Sequence, residues 1–153
     1  MRQAIAAAEK NSARNLRTLY LGLVASAHAR LGQTEVGLDL LDEALHAAEV
    51  ATERFLEAEL YRLRGTMLLT LGRCSEGEAA LHRALTIARN QQARWWELRA
   101  ATSLAKHWHG EGKHLDAYSV LQPVYSWFGE GLEMPELKDA KALLDKLPHA
   151  AVG

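Results

Sequence analysis

Side chains able to do chemistry are densest at residues 107–114, HWHGEGKH, where three histidines, a tryptophan, a glutamate and a lysine fall within eight positions. Imidazole nitrogens and carboxylates are the usual ligands of zinc, and an imidazole can act as a general base. The spacing argues against both roles. His107 and His109 are two residues apart, about 200° around a helix, so they cannot face one ion together. Helical zinc sites favour an i, i+4 pair. His114 can join one of them only across a turn. Histidines at the C-terminal end of a helix also complement its dipole, so the stretch reads as a corner between helices before it reads as a site.

The other candidates are weaker. GEG occurs at 110–112 and 129–131 but extends to neither a dinucleotide fingerprint nor a phosphate loop. Cys74 has no histidine near it in sequence and reads as a solvent-edge thiol. Ser103 lacks a nucleophile-elbow context. Adjacent acids such as Asp42 and Glu43 diverge on a helix and read as a solvated face. No catalytic residue, metal or cofactor is expected, and the chain is not expected to be an enzyme.

The elements that must position these residues are helical. Ala, Leu, Glu and Arg dominate the 153 residues, and the three prolines, Pro123, Pro135 and Pro148, all lie in the last third. A formal net charge of −1 shows no basic excess, which argues against a nucleic-acid partner. A single cysteine permits no internal disulfide and suits a reducing, cytoplasmic compartment. No stretch is apolar enough to span a membrane.

The strongest signal is a forty-residue repeat. Gly32, Gly72 and Gly112 are each 40 residues apart. Ala4, Ala44, Ala84 and Val124 fall in one column, and Leu41, Leu81 and Leu121 in another. Arg14, Arg54 and Arg94 form a third. Small residues share two more, Ala25 with Gly65 and Ala105, and Gly37 with Gly77 and Ala117. Each unit predicts two antiparallel helices with the glycine just past the end of the first. The second helix opens near Thr34 or Ser75, where Ser75 and Glu78 have capping-box spacing. Its apolar stripe is Leu38, Leu41, Ala44, Leu45 and Ala48 in one unit and Ala80, Leu81, Ala84, Leu85 and Ala88 in the next. Such a stripe is buried only if neighbouring pairs stack.

LGQTEVGLDLLDEAL and LGRCSEGEAALHRAL resemble the turn and second helix of tetratricopeptide repeats, and the likeness covers nearly the whole chain. Gly72, Gly77, Leu81 and Ala84 fit that family's pattern, as do Gly32, Gly37, Leu41 and Ala44. The period of 40 departs from the family's ~34 and approaches that of HEAT and armadillo repeats, but the small-residue columns favour the former. Arg64 stands in a column that is usually apolar, with Leu63 beside it to fill the gap. The segments EAELYRLRG and SWFGEGLEMPELKDAKALL resemble the C-terminal repeat region of large bacterial signalling regulators that carry an ATPase module of the AAA type and often a nucleotide-cyclase output.

The resemblance implies an all-α, right-handed α-α superhelix of about three helix pairs. A half unit at 1–12 precedes pairs at about 13–52, 53–92 and 93–132, and a capping helix closes the end at about 135–147. Pro135 suits the first position of that helix, with Leu137, Ala140, Leu143 or Leu144, and Leu147 inward. Pro123 should kink the helix before it. Of Trp95 and Trp96, one is expected to be buried and the other partly exposed; Trp108 is expected in the core. The opening half unit implies a longer parent protein, or a second subunit over the open N-terminal end, and so a route to self-association.

The implied function is a protein-interaction module of a regulator, binding a peptide or neighbouring domain along its concave face. The family's groove columns fall on Ser26, Arg30, Glu59, Arg62, Thr66, Thr70, Arg99, Thr102, Lys106 and His109. Four basic residues there face one acid, so an acidic segment or a C-terminal carboxylate is the expected ligand, because arginine offers bidentate donors to carboxylates. The alternative is a ligand-sensing or metal-binding helical domain built on the His107–His114 corner.

Overall fold

A computed structural model describes residues 2–50 and 54–148. Among them the chain is all-α, with seven helices and no strand. These are α1 Arg2–Arg30, α2 Thr34–Val50, α3 Glu57–Thr70, α4 Cys74–Asn90, α5 Arg94–Gly110, α6 His114–Ser126 and α7 Pro135–Leu144. No helix among the described residues is long and apolar enough to cross a membrane.

The corners follow the glycines. α1, α3 and α5 end at 30, 70 and 110, and α2, α4 and α6 begin at 34, 74 and 114. Gly32, Gly72 and Gly112 all take a left-handed conformation, with φ of 79°, 75° and 78°. Around Gly72 the Arg73 amide donates to Leu68 and the Gly72 amide to Leu69, a Schellman closure of the helix end, and the same two bonds recur at the other two corners. The α4–α5 corner is built alike without a glycine: Gln92 takes the left-handed position at φ 53°.

Each helix packs on the next along the chain. The odd helices also approach one another, α1 with α3, α3 with α5 and α5 with α7, whereas the backbones of α2, α4 and α6 stay apart. The molecule is therefore two layers, a closely spaced odd row and a separated even row. Helices of one pair cross at their smallest residues. A Cβ on Gly65 would lie 2.7 Å from Leu81 Cγ and 2.9 Å from the Gly77 carbonyl, so no larger residue fits without moving α4.

Burial follows the expected stripes. Leu41, Leu68, Leu81, Leu98, Leu104, Leu121 and Leu137 are the largest fully buried side chains, each contributing roughly 1.5–3 kcal/mol. The largest apolar cluster runs from Leu81 and Leu85 of α4 through α5 and α6 to Leu137, Ala140, Leu143 and Leu144 of α7 and Leu147 beyond it. Polar groups in the interior are paired: Glu57 takes Arg54 at 2.8 Å, and Glu97 takes both Arg89 at 2.9 Å and Arg94 at 2.8 Å.

Three local expectations are corrected. No break separates a half unit 1–12 from a first helix at 13, because α1 is continuous from Arg2 to Arg30 and Asn11-Ser12-Ala13 contains neither glycine nor proline to stop it. The boundary expected at 52–53 lies outside the described residues. The Ser75–Glu78 capping box does not form: α4 begins one residue earlier, after Arg73, and no side chain caps it. Glu78 instead meets His107, and Arg73 pairs with Glu76. Trp95, Trp96 and Trp108 are all half-buried, packed against the edges of the apolar clusters. Arg64 is accommodated by Asp42 at 3.0 Å, with Leu63 turned into the core beside it. Pro123 lies on the exposed side of α6, which has 13 residues against 17 in α4.

Candidate functional site

The expected groove residues lie on the odd row. Columns three and four apart on each odd helix set Ser26 and Arg30 of α1, Glu59, Arg62, Thr66 and Thr70 of α3, and Arg99 of α5 around one groove of about 490 Å³. Sequence reasoning missed its floor, which is apolar: Leu56, Leu63, Met67 and Trp96 line it, with Leu23 at its outer rim. Leucine columns beside the polar ones were the available signal. Arg62 and Arg99 also face a second, smaller hollow of about 140 Å³ with Thr102, Lys106, Glu136 and Asp139.

One carboxylate organises the junction of the two hollows. Glu59 receives two bonds from Arg62, both 2.8 Å, and lies 3.1 Å from Arg99 Nη1. Arg62 also reaches Ser103 Oγ at 3.3 Å, and the Arg99 guanidinium lies 5.6 Å from the centre of the Trp96 ring. Arg62 is held in place by these contacts; Arg99 and Arg30 keep more of their surface in solvent. In the second hollow Lys106 pairs with Asp139. The charge balance thus differs from the sequence expectation of four basic residues against one acid, because α7 contributes Glu136 and Asp139. The larger groove keeps its excess, with Arg30, Arg62 and Arg99 against Glu59.

His109 belongs to neither hollow. Its ring meets His114, the two Nδ1 atoms 3.0 Å apart, so that one nitrogen donates and the other accepts. Register explains this: the counterpart of His109 on α3 is Leu69, which packs toward Gly77 of α4 rather than into the groove.

The other half of the corner is separate. His107 Nε2 lies 3.0 Å from Glu78 and 3.5 Å from Glu111. These three residues offer ligand atoms within 4.8 Å of one another. Lys113 already sits in this acidic field, 2.6 Å from Glu111 and 3.7 Å from Glu78. Its hydrogen bond, with the nearby His107, holds the Glu111 carboxyl below the ordinary range, and Glu111 in turn raises Lys113. The corner therefore carries two separate groups, the His109–His114 pair and the cluster of His107, Glu78, Glu111 and Lys113, rather than three converging imidazoles.

Compared with protein-family models, curated proteins and solved structures, the chain has no match in any of the three.

Proposed function

We propose that this chain is a helical-repeat interaction module of the tetratricopeptide type, a right-handed superhelix that binds a segment of another protein along its odd row, in a cytoplasmic regulator. The observation that carries this reading is the 490 Å³ groove walled by α1, α3 and α5, with an apolar floor and arginines at its edge. A two-layer array whose odd helices touch while its even helices stand apart is expected to be concave on the odd side, which supports the superhelix. A groove of this composition suits an extended or helical segment with a large apolar side chain and a carboxylate. The side chain would fill the space over Leu63 and Met67, and the carboxylate would take the accessible guanidinium of Arg99.

Glu59 makes the reading testable by sign. It competes with any ligand carboxylate for Arg62 and Arg99. Fluorescence anisotropy with labelled acidic-apolar and basic-apolar peptides should favour the acidic one. Arg99→Ala should weaken its binding about tenfold, the usual worth of one charge-assisted bond, while Glu59→Gln should tighten it. Equal binding of both peptides, or indifference to both substitutions, overturns the assignment.

A further inference from the structure

Seven-residue spacing on α1 sets Glu9, Leu16, Leu23 and Arg30 in one row. Such a row drifts only about 20° per heptad on a straight helix, so it stays on one face. Tyr20 and Ala27 lie beside it. Leu16, Tyr20 and Leu23 are 66%, 65% and 62% exposed. The same face is covered elsewhere in the molecule: forty residues on from Tyr20 and Ala27, Leu60 and Met67 are 2% and 4% exposed, and Ala100, forty further than Leu60, is fully buried. Those positions are shielded by the preceding helix pair, and α1 has no such pair among the described residues.

We propose that a second copy of this chain covers this face, laying its own α1 antiparallel across the first about a two-fold axis between residues 19 and 20. Self-complementarity of the row selects this occupant. Positions that sum to 39 meet across such an axis, so Leu16 meets Leu23 of the other copy, Leu19 meets Tyr20, and Glu9 meets Arg30, each contact occurring twice. Acid, leucine, leucine and arginine read in one direction match the same row read in the other. Neither Glu9 nor Arg30 has an ion-pair partner among the described residues, so both charges are free to bridge the two copies. A parallel arrangement would set Glu9 on Glu9 and Arg30 on Arg30 and is disfavoured by charge. At the far end of the row Ile5, 51% exposed, arrives over the α1–α2 corner of the other copy, where Leu31 is 75% exposed.

Light scattering of the 16.9 kDa chain at about 100 µM should return twice that mass. Leu16→Glu with Tyr20→Glu should return the single-chain mass with unchanged helical circular dichroism, since both side chains are exposed. Glu9→Arg and Arg30→Glu should each weaken association about tenfold by placing like charges together, and mixing the two variants should restore it, because the heterodimer recovers both pairs. A wild-type chain that is monomeric at this concentration overturns the proposal and assigns the face to a different occupant. A wild-type dimer whose two charge variants fail to rescue each other overturns the antiparallel register.

Discussion

At the scale of single residues, the clearest case is the corner that first draws the eye. HWHGEGKH was legible as a helix end because its glycine lies in phase with two others, and the two-residue spacing of His107 and His109 foretold that they would part. It was not legible that Glu78, 29 residues before His107, would supply the acid, since nothing local in sequence points to it. Lys113 then sets the electrostatics. Glu111 has a folded pKa below its ordinary 4.5, so its pairing stabilises the fold above that value, and the contribution is lost as pH falls through the depressed one. Lys113 is raised above 10.5, so its share is present below that pH and lost above it. Lys113→Met should move the Glu111 titration upward in a carbon-detected NMR experiment; an unmoved curve would place the cause elsewhere.

At the scale of elements, the glycines separate two physical roles that sequence alone leaves merged. Gly72 is needed for its backbone: a Cβ there would meet nothing within 4 Å, yet φ is 75°. Gly72→Ala should cost about 1 kcal/mol, the strain of a left-handed alanine. Gly65 has ordinary helical geometry but no room, and Gly65→Ala should cost about 2–3 kcal/mol as α3 is forced off α4. Urea denaturation of both variants measures the order, and an equal or reversed ranking contradicts this division. The columns of small residues foretold the crossing because close approach is a pairwise demand that recurs with the repeat. The continuity of α1 was not foretold, because the same repeat implied a corner near residue 12 that the local residues do nothing to enforce. His109 was misplaced for a related reason: one position along a helix turns a side chain by about 100°, enough to move it from one neighbour to the next.

At the scale of the whole molecule, α4, α5, α6 and α7 share one apolar cluster, so the C-terminal helix is a wall of the core rather than an appendage. Leu137→Ala should lower stability by about 3 kcal/mol. The loss should shift the unfolding midpoint by indole fluorescence and by circular dichroism together; fraying of α7 alone, with the fluorescence midpoint unchanged, would contradict a shared core. That layering was partly readable, since a chain of amphipathic pairs must stack. The acids that α7 brings to the second hollow were not, because they come from a distant part of the chain: Asp139 joins Lys106 across 33 residues. The spacing of the two rows has a mechanical consequence. Straightening the array closes the open space between the even helices, whereas bending it further presses together odd helices that already touch. Compliance is therefore one-sided: the array unfurls more easily than it tightens, and the width of the arginine-edged trough is geared to that motion.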